Sequence, residues 1–124
     1  MKILILAALC AALLPSPVSA LAVPEDMQTV IRITGWAPSE VPTFSEIIEC
    51  ESGWDRFAIG AQGELGLLQL LPSTFEDANT RLGSDIPISY WSAPPANLSQ
   101  GRVIYLERGF ELWSCYQPSK TMAR

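Results

Sequence analysis

The sequence holds no histidine, so any acid–base chemistry it performs rests on carboxylates, with hydroxyl and amide side chains to orient a substrate. A histidine-based triad, a histidine-ligated metal centre and a histidine pH switch are excluded at once. Among the 13 acidic residues, Glu51 is the one whose position conflicts with its polarity. Phe44, Ile47 and Ile48 stand at i, i+3 and i+4, and the apolar helix face they define continues to i+7, which is Glu51. Glu46 and Glu49 point elsewhere on the same wheel and can stay solvated. A carboxyl carried toward the core loses water, and it also lies near the negative end of its helix. Both effects disfavour ionisation and should move its pKa upward, toward values useful to a general acid. The competing reading is structural: a buried Glu held by a neighbouring amide or Arg.

The elements that would position this acid can be read from the flanking residues. Thr43-Phe44-Ser45-Glu46 has the spacing of a capping box, predicting a helix from Thr43 to Ser52 with Gly53 as its stop. Gly60-Ala61-Gln62-Gly63-Glu64-Leu65-Gly66 is too rich in glycine for a helix and should form a turn or small hairpin. Leu67 to Leu71 is too apolar for a surface loop, and Gln69 is the anomaly within it. Pro72-Ser73-Thr74-Phe75-Glu76 reads as a second capping box opening a helix that ends by Gly83. Asp85 to Pro95 is irregular, and a longer helix runs from about Asn97 to Arg108 with Gly109 as its cap. Upstream, residues 23–42 form an N-terminal arm containing a short helix, Glu25 to Ile33, with Trp36 as its anchor.

The chain of 124 residues, 48% of them hydrophobic, is long enough for one small domain, here residues 43–124 beyond the arm. Residues 1–22 are not part of it. Lys2, the apolar run Ile3 to Leu14, then Pro15-Ser16-Pro17 and small residues have the three regions of a secretory signal peptide, with cleavage after Ala20 or Ala22. The run is short for a permanent membrane span, so no stable insertion is expected after its removal. The loss of Lys2 makes a chain of formal net charge −5 more acidic still. That charge argues against nucleic acid or an anionic membrane as partner. Cys10 leaves with the leader, so Cys50 and Cys115 remain, and an oxidising compartment makes one disulfide between them the natural outcome. Two thiols without histidine supply too few ligands for zinc.

With these residues in view, the sequence resembles the lysozyme-like lytic transglycosylases of the soluble lytic transglycosylase type. Glu51-Ser52-Gly53-Trp54-Asp55 looks like that family's catalytic Glu-Ser motif. Gly66-Leu67-Leu68-Gln69-Leu70-Leu71-Pro72-Ser73-Thr74 looks like its Gly-Leu-Met-Gln-Leu-Met-Pro-x-Thr segment. Asn97-Leu98, Gly101 and Tyr105-Leu106 are similar to its Asn-Ile…Gly…Tyr-Leu helix. The resemblance covers residues 45 to 108 and implies a single, mainly α (α+β) lysozyme-like domain with a minor β-hairpin region. It implies that Glu51 protonates the oxygen between N-acetylmuramic acid and N-acetylglucosamine, then takes a proton from the muramoyl 6-hydroxyl to leave a 1,6-anhydro end. The substrate's acetamido group stands in for a second protein carboxylate in that family. Ser52, Gln69 and Tyr105 are carried over as orienting and substrate-contacting groups. Ser52 also reads as a helix-terminal hydroxyl bonding its own backbone, and Gln69 as an amide bridging loops.

The chain departs from the family pattern in two places. The Ala-Tyr-Asn-Ala-Gly motif is replaced by Ser114-Cys115-Tyr116-Gln117-Pro118, leaving Tyr116 as the match for the tyrosine that contacts the acid. Glu64 lies where animal-type lysozymes carry an Asp before a similar Gly-x-x-Gln pattern. A second carboxylate facing Glu51 would permit retaining hydrolysis at about 5 Å separation or inversion at about 6.5–9.5 Å, and so a muramidase; the alternative is a solvated Glu on a turn. Trp54, Tyr90, Trp91 and Trp113 are the aromatics available to stack on sugar rings, though most are needed for the core. The expected partner is peptidoglycan, met in a periplasm or after secretion, alone or within a larger cell-wall or secretion assembly. No metal or organic cofactor is implied. A non-catalytic wall-binding module that kept the fold is the rival from another class.

Overall fold

Among the described residues, three of the four α-helices carry a proline at their first or second position. The structure is a computed structural model and describes residues 23–116; the expected leader, residues 1–22, lies outside the described residues, as does 117–124. Its α-helices are α1 (Glu25–Ile33), α2 (Val41–Ser52), α3 (Pro72–Leu82) and α4 (Pro94–Arg108), with single 3-10 turns at Ile88–Tyr90 and Phe110–Leu112. Neither expected capping box forms. Pro42 lies in the first turn of α2 and Pro72 opens α3, whose N-cap residue is Leu71. Thr43 and Ser73 therefore stand inside their helices, and no side-chain hydrogen bond caps either start. Proline has φ already set for a helix and lacks the N–H that a cap would have to satisfy. For the same reason α4 starts at Pro94, three residues before the expected Asn97. Gly53 and Gly83 end α2 and α3 in left-handed conformation, with φ of 58° and 63°, as their sequence positions suggest.

Phe44, Ile47 and Ile48 are buried along α2 and pack with Leu67, Leu68, Leu70, Phe75, Leu98 and Trp113 in the core. Trp36 anchors the arm as expected. It is 5% exposed, stacks on Phe44 at 4.2 Å between ring centroids, and donates its indole N–H to the Leu98 carbonyl at 3.3 Å. α4 is packed against both α1 and α3.

The Leu65–Leu70 loop is held against α4 by Asn97, which is fully buried. Its Oδ1 accepts the Leu68 N–H at 2.9 Å, and its Nδ2 donates to the carbonyls of Leu65 at 3.0 Å and Trp91 at 3.3 Å. Gly101 makes this approach possible, because a Cβ there would sit on Leu68 Cδ1 and lie 3.7 Å from Trp113 Cζ2. The hairpin expected between Gly60 and Gly66 is reduced to isolated antiparallel bridges, Ile59 with Leu65 and Leu65 with Leu70. Leu65 and Leu70 exchange backbone hydrogen bonds at 2.9 and 3.0 Å, closing a loop too tight to extend into a ladder. The architecture is mainly α, and no helix among the described residues is long and apolar enough to cross a membrane.

Candidate active site

Glu51 lies at the half-buried end of the α2 apolar face and lines an open cleft of about 340 Å³ with Glu64, Gln69, Leu70, Leu71, Thr74, Leu112, Trp113 and Ser114. This volume is within the range of about 300–1,000 Å³ found for small-molecule sites. The wall is part apolar, from the leucines and Trp113, and part carboxylate, hydroxyl and amide. Burial pushes the Glu51 carboxyl above the ordinary value. Three further influences act on it: the Cys115 N–H and the neighbouring Ser114 hydroxyl lower its pKa, and the Glu64 charge raises it. The Cys115 N–H donates to Glu51 Oε1 at 3.4 Å. The net shift is upward, so the proton is retained to higher pH than on a freely hydrated glutamate.

A disulfide between Cys50 and Cys115 brings the C-terminal segment to this position, with 5.9 Å between the two Cα atoms. Each cysteine is within one residue of a group at the acid: Cys50 precedes Glu51 on α2, and Cys115 follows Ser114. Trp113 fixes the other side of the segment. It is 5% exposed and donates its indole N–H to the Leu68 carbonyl at 2.9 Å.

On the opposite part of the wall, Glu64 Oε2 accepts the Gln62 N–H at 3.0 Å. Gln69 has a left-handed backbone, φ 49°, and its Nε2 donates to the carbonyls of Ala58 at 3.1 Å and Gly66 at 2.9 Å. The carboxamide nitrogen therefore bridges two turns. Glu64 Oε2 and Gln69 Oε1 converge over Gly60, where a Cβ would collide with the first and stand 2.7 Å from the second. Gly60 is thus the residue that lets both polar heads lie close to the backbone.

Of the residues expected at the substrate, Glu51, Glu64 and Gln69 are brought together, whereas Ser52, Trp54, Tyr105 and Tyr116 do not line this cleft. The Ser52 hydroxyl is directed at backbone carbonyls, 2.8 Å from that of Leu67 and 3.2 Å from that of Ile48, so it ties the end of α2 to the apolar loop. Trp54 packs partly buried against the core. Tyr105 packs with tilted rings on Phe110 at 4.3 Å and Trp36 at 5.2 Å between centroids. Tyr116 packs on Phe110 at 5.6 Å, and it is Ser114 and Cys115, not Tyr116, that meet the acid. Nothing in the type or spacing of Ser114 marks it as a contact of the acid. The available signal was its place beside Cys115, whose partner Cys50 adjoins Glu51.

A mainly helical domain with a half-buried carboxyl in a mixed polar and apolar cleft fits a lysozyme-like fold. A family model described as the Transglycosylase SLT domain matches residues 33–109, and the chain belongs to that family, whose action is on peptidoglycan. No curated protein and no solved structure matches it. The matched residues end before Ser114 and Cys115, so the segment that contacts Glu51 lies outside the match.

Proposed function

We propose that the chain is a peptidoglycan lytic transglycosylase in which Glu51 is the single catalytic acid and base. The observation that carries this reading is the Glu51 carboxyl in the cleft, with burial raising its pKa against two hydrogen-bond donors that lower it. The protonated acid transfers its hydrogen to the oxygen of the β-1,4 bond between N-acetylmuramic acid and N-acetylglucosamine. The C1–O bond breaks, and the muramoyl acetamido group supports the charge that develops at C1. The Glu51 carboxylate then removes the proton from the 6-hydroxyl as O6 bonds to C1, which leaves a 1,6-anhydro end and regenerates the acid. No water is consumed. Gln69 and Glu64 supply polar groups to the cleft wall, and the exposed apolar side chains of Leu71 and Leu112 suit the faces of sugar rings.

A second reading, muramidase, is favoured by Glu64, which lines the same cleft and whose charge acts on Glu51. There Glu64 is the second carboxylate of a hydrolytic pair. Mass spectrometry of products released from peptidoglycan separates the readings. Wild type is expected to give anhydro ends, and Glu51→Gln to lose activity by a factor of about 10² or more. Reducing ends would mean hydrolysis, and equal release by both proteins would overturn the role of Glu51. Absence of release by wild type would leave a peptidoglycan-binding module. The leader-like residues 1–22 and the Cys50–Cys115 bridge support an exported protein working in an oxidising compartment.

A further inference from the structure

A catalytic acid must present one oxygen to the substrate in a fixed direction, and a Glu side chain on the last turn of a helix has three torsions with which to turn away. In this chain the restraint comes from a segment beyond the residues matched by the family model. Trp113 is pinned by its indole N–H on the Leu68 carbonyl, and Cys115 is bonded to Cys50. Between these two fixed points is Ser114, which lines the cleft beside Glu51. Backbone hydrogen bonds from Trp113 N–H to the Phe110 carbonyl at 3.1 Å and from Tyr116 N–H to the Trp113 carbonyl at 3.0 Å hold the segment in a turn. The Cys115 N–H points at Glu51 Oε1.

We infer that Trp113–Cys115 is a clasp on the Glu51 carboxyl, and that Ser114 is the positioning residue whose hydroxyl fixes its orientation in the cleft. The inference rests on the reading of Glu51 as the proton donor and names what keeps that donor aimed. Its physical logic is a balance. Burial favours the acid, the form that gives up a proton, while the two clasp donors favour the carboxylate, the form that must exist immediately afterwards. A carboxyl under both influences can serve in each half of the reaction. Ser114 is solvent-facing, so replacing it leaves the core, the disulfide and the Trp113 anchor untouched.

The test compares Ser114→Ala and Ser114→Thr by carbon-detected NMR titration of the Glu51 carboxyl, alongside kinetics on peptidoglycan. Glu64 is the charged group that acts on Glu51, and both variants retain it. Removing the hydroxyl donor should raise the Glu51 pKa further above wild type, and Thr should restore the wild-type titration. In Ser114→Ala, kcat should fall about three- to tenfold with KM within about twofold, the pattern of a lost orientation rather than lost binding. The alkaline limb of the pH–rate profile should move to higher pH. An unchanged titration in Ser114→Ala overturns the inference, as does a shift in Ser114→Thr equal to that in Ser114→Ala, or a rise in KM at constant kcat. The titration needs no turnover. If Glu51→Gln stayed active, the catalytic reading would fail while the clasp would still be decided by NMR.

Discussion

Asn97→Ala offers the sharpest test of how the cleft is held together, because the side chain is fully buried and its three hydrogen bonds go to backbone groups. Of those groups, the Leu65 carbonyl keeps a partner in the Leu70 N–H at 3.0 Å. The Leu68 N–H, in a residue 1% exposed, is left with none at a cost of about 1–3 kcal/mol. The two lost carbonyl contacts add about 0.5–1.5 kcal/mol each, and the void left by the amide adds a smaller amount. A loss of about 2–6 kcal/mol is the expected total, a large share of the roughly 5–15 kcal/mol that stabilises a domain. Urea denaturation followed by tryptophan fluorescence measures it, with the midpoint falling and the slope unchanged.

Asn97→Asp sharpens the test. A carboxylate there keeps an acceptor for Leu68 but sets negative charge against the Leu65 and Trp91 carbonyls. Its folded-state pKa is then raised above the unfolded value, so the variant regains stability as pH falls through the folded pKa and loses it as pH rises. A loss below about 1 kcal/mol for Asn97→Ala, or an Asn97→Asp variant no better at acid pH than at neutral pH, would refute the claim that Asn97 anchors the loop carrying Gln69.

Two further outcomes test the cleft from other sides. Glu64→Gln keeps an acceptor for the Gln62 N–H and removes a like charge, so the Glu51 pKa should fall from its wild-type position and the alkaline limb of activity should move to lower pH. The shift should be modest because Glu64 is the smallest of the four influences on Glu51. A transglycosylase should continue to yield anhydro ends in this variant, whereas a hydrolase using Glu64 should lose turnover. Replacing both Cys50 and Cys115 by Ala opens a loop of sequence separation 65 and should lower stability by about 4 kcal/mol on the chain-entropy estimate, read from urea midpoints. Activity at temperatures where the variant remains folded should fall as well, because the Cys115 N–H is no longer brought to Glu51.

Much of this molecule follows from local patterns in its sequence. The α2 stripe of Phe44, Ile47 and Ile48 carries Glu51 to the core edge because a helix repeats every 3.6 residues wherever it is placed. The α1 limits, the glycine stops at Gly53 and Gly83, and Trp36 as an anchor follow equally from side chains acting on their own neighbourhood. The helix starts follow from Pro42, Pro72 and Pro94. Proline needs no cap, so Thr43 and Ser73 were displaced into the helices they were expected to begin.

What tertiary structure alone decided is which distant groups meet the acid. The Cys50–Cys115 pairing expected from the sequence returns the C-terminal segment to Glu51, but it does not say which side chain of that segment faces the acid. A tyrosine expected by resemblance instead packs on Phe110, and Ser114 is brought to the cleft beside Glu51 by the Cys50–Cys115 bond and the Trp113 anchor on either side of it. For Ser52 and Gln69 it is the long-range partners, the Leu67 and Ala58 carbonyls, that only the fold supplies. Their side chains serve backbone carbonyls of loops that are brought near only when Gly101 and Asn97 let the Leu65–Leu70 loop close against α4. Local propensity made the acid and its helix; long-range packing, which depends on pairs of residues far apart in the chain, made the cleft around it.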